Sequence, residues 1–411
     1  MENSPLQENL FCEIQPVSDT PPVLDPEQKK CQSFFLICEA ILRQYKAGIK
    51  VGYLGGGQLA RMLAESASRL GLEPHVLSLK KNSPAAQVTG HWHQGSLGNE
   101  NDLIKFLNSV DVASFESEFL NADKLIAAKK KTKAKIYPSP ELMGLLQDRK
   151  TQKDLYDQNR LPTAPWQAVD TEDAITSFME SQKLPVVFKK RFFGYDGYGT
   201  FIIKTKLQLS QFIKNDFKEN TFIVEKFIPF KKECAVIVAR SLDGSFTHLP
   251  LVESFQKDAR CDWVKGPMKN KESKKMILKI KSFLKSTHYV GVMGVEFFLT
   301  NKGLIINEVA PRVHNTGHYS LNTPGLSQFD LHNMCLLGQK LPKEIKIKQG
   351  FAMTNPIGSG KTVKLKALDG LYWYGKSENR AGRKMGHLNA TANTPADALK
   401  LALKKRKDIQ L

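Results

Sequence analysis

Lys50-Val-Gly-Tyr-Leu-Gly-Gly-Gly-Gln-Leu-Ala-Arg-Met-Leu63 decides how the chain begins to fold. Residues 50–54 form a short apolar run of the length of a buried strand. Gly55-Gly-Gly57 is a tight turn, and from Gln58 onward apolar residues recur at helical spacing. A second strand is predicted over Glu73–Leu79 and a third over Val110–Phe115, the latter ending on carboxylates. Strands alternating with helices imply a parallel α/β sheet. The turn satisfies G-x-G-x-x-A through Gly55, Gly57 and Ala60, a pattern that sets backbone N–H groups and a helix N-terminus against an anion. A dinucleotide would also need an acid at the end of the second strand, where the chain reads Ser78-Leu-Lys-Lys81. A substrate phosphate is therefore the expected occupant.

Beyond Pro162 strands crowd together (Pro185–Lys189, Gly199–Ile203, Phe222–Val224, Cys234–Arg240, Phe246–Val252), which predicts α+β lobes with antiparallel sheet. Val186-Val-Phe-Lys-Lys-Arg191 is a strand delivering cations, and Phe193-Gly-Tyr-Asp-Gly-Tyr-Gly199 follows at once. A loop so rich in glycine can fold its amides over phosphate oxygens, with a strand-borne lysine as counter-charge. Phe222-Ile-Val-Glu-Lys-Phe-Ile228 carries a single acid near its end, placed to hold an adenine amino group or a ribose hydroxyl, and Glu233 opens the next strand. Gly294–Thr300 and Leu304–Val309 read as a hairpin around Asn301-Lys-Gly303. Glu296 and Glu308 stand on its two strands amid apolar neighbours, with Asn307 alongside. Unpaired buried carboxylates are costly, so an oxygen-rich site for magnesium is expected. The following segment, Ala310–His318, is dense in hydrogen-bonding groups: Arg312, His314, Asn315 and His318. Asn355-Pro-Ile-Gly-Ser-Gly-Lys-Thr362 imitates a phosphate loop, but asparagine replaces its first glycine and little chain follows, so a plain turn is expected.

The 411 residues ask for two or three domains. Hydrophobic and charged contents of 41% and 25% belong to a globular chain, and a net charge of +19 favours anionic partners. No basic run is interleaved with aromatics, which argues against nucleic acid. Cys12, Cys31, Cys38, Cys234, Cys261 and Cys335 are scattered without a C-x-x-C pair, which fits a reducing compartment. No apolar run approaches the ~20 residues of a spanning helix. Residues 1–48 read as an appendage, polar for about thirty residues and then apolar over Ser33–Leu42, which is the wrong order for a signal peptide.

Taken together these motifs resemble the ATP-grasp superfamily, and within it the 5-(carboxyamino)imidazole ribonucleotide synthase family. The likeness runs from about Lys50 to Asn389. It is carried by Gly55–Leu59, Asp148-Arg-Lys-Thr-Gln-Lys153, Gly194–Gly197, Asn307–His318, Ser327-Gln-Phe329 and Trp373-Tyr-Gly-Lys … Gly382-Arg-Lys-Met-Gly-His387. The resemblance implies an ATP-grasp fold with a Rossmann-like domain over 49–147 and an ATP-grasp domain over 148–348 whose lid spans about 150–228. A small β domain and basic tail would fill 349–411.

It implies, further, that ATP and bicarbonate carboxylate the exocyclic amine of 5-aminoimidazole ribonucleotide. Magnesium, or manganese in its place, would assist, in a cytoplasmic homodimer that binds neither nucleic acid nor membrane. Arg149 and Lys189 would bind ATP phosphates under the loop Phe193, Gly194, Tyr195, Asp196, Gly197, Tyr198 and Gly199. Glu225, Lys226, Phe227 and Ile228 would hold adenine, Glu233 the ribose, Gln256 and Asn307 further ATP atoms, and Glu296 and Glu308 the metal. Arg312, His314 and Asn315 would handle bicarbonate and carboxyphosphate. Gln58, Leu59 and Glu116 would meet the ribonucleotide, Tyr195 and Asp196 its imidazole, and Lys376, Arg383 and Lys384 its phosphate. Phe193 stands where the family usually has glycine, Tyr198 where it has a cation, Gln256 where it has histidine, and Lys257-Asp-Ala-Arg260 lacks an Asp-Gly. Weaker ATP binding is the expected consequence. A different ATP-grasp ligase, or a nucleotide-binding paralogue without turnover, are the alternatives.

Overall fold

The computed structural model describes residues 45–192, 194 and 198–409. Residues 1–44 of the appendage, and Phe193, Tyr195, Asp196 and Gly197 of the glycine loop, lie outside the described residues.

β1 (Lys50–Leu54), β2 (Glu73–Ser78), β3 (His91–Gln94), β4 (Val112–Phe115) and β5 (Lys135–Ile136) form a parallel sheet in the order β3-β2-β1-β4-β5. Its central strands are buried on both faces, which is why they read as unbroken apolar runs. The helix Gln58–Arg69 follows β1 as its spacing predicted. Strand β3 was not legible: His91-Trp-His-Gln94 has no apolar run, because as the outer strand it is only partly covered.

β6 (Trp166–Val169), β7 (Val186–Lys190), β8 (Thr200–Ile203) and β9 (Phe222–Lys226) make an antiparallel sheet, order β6-β9-β7-β8. Its small core includes Phe188, Phe212 and Phe222, with Phe201 against them.

The largest sheet is wholly antiparallel. It contains β10 (Lys232–Arg240), β11 (Phe246–His248), β12 (Val252–Lys257), β13 (Arg260–Gly266), β14 (Gly291–Thr300), β15 (Gly303–Ala310), β16 (Gly350–Thr354), β17 (Leu371–Trp373) and β18 (Gly386–Ala392). The order is β15-β14-β10-β12-β13-β16-β18-β17, with β11 beside β10. Two expectations change here. Phe246–Val252 is not one strand, because Pro250 lacks the N–H a ladder needs. The C-terminal strands β16–β18 also form no sheet of their own; they continue the large one through β13, with the helix Pro395–Arg406 packed on them. The imitation phosphate loop after β16 leads into no helix, as expected of a turn.

One core joins the parallel sheet to the large one, mixing Tyr53, Met62 and Leu63 with Ile237, Tyr319 and Phe351. Polar contacts lock this join: the Tyr53 hydroxyl donates to Asn333 Oδ1 at 2.7 Å and Ser66 Oγ to Asp330 at 2.6 Å. On the other face the helix Ser273–Ser286 covers β10, β14 and β15 with Met276, Ile280, Phe283 and Leu284. No described helix is long and apolar enough to cross a membrane.

Candidate active site

Two neighbouring cavities gather the residues singled out from sequence. The first, about 340 Å³, lies between the four-stranded sheet and the large sheet and is lined by Arg149, Lys189, Glu225–Ile228, Glu233, Gln256, Glu296, Asn307, Glu308 and Lys384. The second, about 810 Å³, opens towards the parallel sheet and collects Gln58, Leu59, Glu116, Arg312, His314, Asn315, Lys376, Arg383 and Lys384. Lys384 borders both.

In the first cavity a β-bulge does the aiming. Glu296 on β14 pairs with Glu308 on β15, but Phe297 pairs with Ile306, so Asn307 is an inserted residue. Strict alternation would send either Asn307 or Glu308 into the core; the bulge turns both towards the cavity. Arg149 Nη1 donates to Glu308 at 2.9 Å, and Lys189 Nζ donates to Asn307 Oδ1 at 3.0 Å. Arg149 is positioned by its predecessor: Asp148 caps the helix Arg149–Gln158, accepting from Lys150 N at 2.9 Å, and is itself gripped by Arg191.

The carboxylates differ in charge state. Burial, then repulsion by Glu308 and Glu233, pushes Glu296 up to about 8, and burial pushes Glu233 up to about 7. Burial works the same way on Glu308, yet Arg149 and Lys189 outweigh it and hold Glu308 below the usual carboxylate range. Such a cluster of oxygen donors, with one carboxylate strained towards protonation, suits a hard divalent cation. The residues present therefore fit magnesium, with Glu296 and Glu308 as the holders and Asn307 beside them.

Glu225 is engaged by two lysines. Its buried carboxylate is 2.6 Å from Lys153 Nζ and 2.8 Å from Lys189 Nζ, and despite burial these lysines bring it down to about 2. It anchors both lysines while lining the first cavity. Lys153, fully buried, was quoted in a motif but given no part; a charged residue on the inner face of a helix was the available signal.

In the second cavity the expected anion of the glycine loop is the protein's own. Glu116 accepts from Gly57 N at 2.7 Å and from Ala60 N at 3.3 Å, supplying the cap that Gly57 cannot. A Cβ on Gly57 would come within 2.5 Å of the Glu116 carboxylate, which explains glycine there. The phosphate expected in this loop is thus displaced by Glu116. Cations gather here: Lys376, Arg380 and Arg383 line both this cavity and the one beside the loop.

Arg312 is clamped by Glu118 through two guanidinium contacts, one of 2.7 Å from Nη2 to Oε1. Glu118 was legible as part of the acid-rich end of β4 and was not assigned. His314 donates or accepts with Thr316 Oγ1 at 2.8 Å, and its Nε2 lies 3.7 Å from Glu296 Oε1. Burial and then Arg312 push its imidazole down to about 4, so at neutral pH it is an uncharged partner. Gln328 brackets it, accepting from His314 N and donating to His314 O, both at 2.8 Å. Asn315 is closed into a double amide pair with Asn355 at 3.0 and 2.9 Å, so it braces the loop. Tyr198, expected over phosphates, lines this second cavity, with Lys190 Nζ 5.2 Å from its ring centre.

Known proteins match the chain over most of its length. Residues 49–147 match the ribonucleotide synthetase preATP-grasp domain, 154–329 the ATP-grasp domain, and 352–401 the phosphoribosylaminoimidazole carboxylase C-terminal domain. The N5-carboxyaminoimidazole ribonucleotide synthase of Synechococcus elongatus is 34% identical over 350 residues, covering 82% of this chain and 88% of that protein. The chain belongs to the N5-carboxyaminoimidazole ribonucleotide synthase family. Phosphoribosylaminoimidazole carboxylase of Saccharomyces cerevisiae is 36% identical over 372 residues, 84% of this chain but 64% of that longer protein. Among solved family structures, the Staphylococcus aureus synthetase complexed with ADP superposes with a TM-score of 0.80 at 29% identity, covering 89% of this chain and 99% of that one. The Aspergillus clavatus synthase in complex with ADP and 5-aminoimidazole ribonucleotide gives 0.78 at 28% identity, covering 88% and 98%.

Proposed function

We propose that this chain uses ATP and bicarbonate to carboxylate the exocyclic amine of 5-aminoimidazole ribonucleotide, yielding N5-carboxyaminoimidazole ribonucleotide, ADP and phosphate for purine synthesis. The observation that carries the reading is the contact between the cavities: His314 Nε2 is 3.7 Å from Glu296, so the two sites meet at the proposed transfer point. ATP lies in the first cavity, its phosphates towards Arg149 and Lys189, with Glu296 and Glu308 holding magnesium. Held by Glu296 and Glu308, magnesium would supply neutralisation of phosphate charge, while Arg149 and Lys189 face the γ-phosphoryl group as it leaves ADP.

A bicarbonate oxygen attacks that phosphorus, breaking its bond to ADP and giving carboxyphosphate. The carbon–oxygen bond of carboxyphosphate then breaks to phosphate and carbon dioxide. The amine nitrogen adds to carbon dioxide and the departing phosphate takes the amine proton, so no protein base is required. Arg312, fixed by Glu118, faces the carboxylate charge, and neutral His314 offers a hydrogen bond. Lys376, Arg383 and Lys384 hold the ribonucleotide phosphate, and Gln58 and Leu59 its body. We also assign the protein to the cytoplasm as a homodimer, and mass photometry of the full chain would check the dimer.

Phosphate release should require ATP, bicarbonate and 5-aminoimidazole ribonucleotide together, and Glu308→Gln should abolish it. Equal release with unrelated amines would refute this acceptor. Nucleotide binding with no release for any amine would mark a paralogue without turnover.

A further inference from the structure

Away from both cavities, strands β2 and β3 bring four metal-ligating side chains onto one face of the parallel sheet. Glu73 and His75 are alternate residues of β2, and His91 and His93 are alternate residues of β3. The parallel register pairs His75 with His91 and Leu77 with His93. The three imidazoles stack, with ring centres 4.5 Å apart for His75–His91 and 5.2 Å for His75–His93. Glu73 Oε1 lies 2.7 Å from His75 Nε2 and 3.8 Å from His91 Nε2, and one ligand atom from each of the three residues falls within 4.8 Å of the others. A tetrahedral ion with metal–ligand bonds of ~2.0 Å wants its ligand atoms about 3.3 Å apart, which sits between those two separations.

The surroundings complete the pattern. His75 is buried, while the side chains of Glu73 and His91 are 33% and 48% exposed, so water can reach a fourth position. The other nitrogen of His75, Nδ1, is 2.9 Å from His93 Nε2. Without a metal His75 Nε2–H donates to the Glu73 carboxylate; a bound ion takes the place of that proton, which moves to Nδ1 and is donated to His93, the usual outer partner of a ligating histidine. The cluster lies at the start of β2 and β3, the end of the sheet opposite the Gly55–Gly57 loop. It has no share in the proposed chemistry, and β3 is an edge strand of only four residues.

We propose that Glu73, His75 and His91 bind a borderline divalent cation of the zinc class, with His93 orienting His75. The ion staples the edge strand to its neighbour.

The test uses the full chain, stripped with chelator and held with saturating Mg·ATP so that the carboxylates of the large sheet are occupied. Zinc is titrated by calorimetry, and cobalt by absorbance, which reports coordination geometry. One zinc per chain is expected, together with a rise in Tm and an intense tetrahedral cobalt spectrum. His93→Gln should weaken zinc about 10–100-fold, as removal of an outer partner does. His91→Ala, at an exposed position, should abolish the stoichiometric binding and the Tm rise while leaving carboxylation intact. Zinc affinity unchanged in both variants, or no stoichiometric uptake by the parent chain, would overturn the proposal.

Discussion

Replacing Glu296 by glutamine should make the metal-free protein more stable and leave it inactive. Glu296 ionises at about 8 in the folded chain against an ordinary 4.5. Folding therefore traps a proton on it, and the slope of stability with pH is negative between those values. The stability it contributes is complete below 4.5 and is lost as pH rises through 8. At about 1.4 kcal/mol per tenfold change in protonation, the gap sets a ceiling of about 5 kcal/mol. Glu308 shares the penalty, and water entering the cavity relieves part of it, so a measured difference of about 2 kcal/mol is expected above pH 8. For a unit this large that corresponds to a Tm increase of about 3 °C.

The substituted amide carries no charge at any pH, so Glu296→Gln should coincide with the parent near pH 5 and pull ahead as the pH climbs. Differential scanning calorimetry in chelator at pH 5 and pH 8.5 reads both ends. Adding Mg·ATP at pH 8.5 should then raise the parent far more than the variant, because only the parent gains binding energy in the folded state. A variant no more stable than the parent at pH 8.5, or equally advanced at pH 5, would refute the argument that these carboxylates are held apart from their preferred charge state.

Ala259→Gly should stabilise the β12–β13 hairpin. Asp258 and Ala259 form its two-residue turn with φ of 51° and 58°, and a left-handed alanine costs roughly 1–2 kcal/mol, of which the looser unfolded glycine chain returns part. A urea midpoint that rises with unchanged slope would confirm a net gain of up to about 1 kcal/mol. Glu225→Gln strips the shared charge from Lys153 and Lys189 and should cost about 3–5 kcal/mol, visible as a large fall in thermal stability. Glu118→Gln should spare folding but release the Arg312 fork, lowering kcat about a hundredfold with little change in the KM for ATP.

The parallel sheet was legible because buried strands and glycine turns leave local marks: Val51–Leu54 and Gly55–Gly57 need nothing distant to be read. Glu296 and Glu308 were legible for a related reason, since a carboxylate inside an apolar strand is conspicuous. Hidden was whatever depends on a partner far along the chain. Glu225 looked like a waiting acceptor because Lys153 is distant in sequence, and their contact forms only when the helix Arg149–Gln158 packs beside β9. The glycine loop looked ready for phosphate because nothing local shows that Glu116, at the end of a different strand, fills it. Strand β13 escaped because Arg260–Gly266 mixes charge and aromatic residues on an intermediate face, and the bulge at Asn307 has no signature of its own.

These long-range pairings also explain how so cationic a site stays folded without its ligands. Arg149 is held by Glu308, Lys189 by Glu225 and Asn307, and Arg312 by Glu118. Each of these three cations thus has an acidic partner beforehand, and the pairs differ in how readily they can be exchanged. Glu225 is fully buried between two lysines, so it stays where it is and fixes Lys189 in place. Glu308 is over a third exposed and is claimed both by Arg149 and, in the proposed reaction, by magnesium. In the proposed reaction, arriving Mg·ATP would let Arg149 turn from Glu308 to a phosphate oxygen while Glu308 turns to the cation. One ion pair is traded for two and no charge is left bare. Binding at such a site is an exchange of partners, which keeps its desolvation cost low, and the closed amide pair Asn315–Asn355 and the Gln328 bracket keep the neighbouring loop still while it happens.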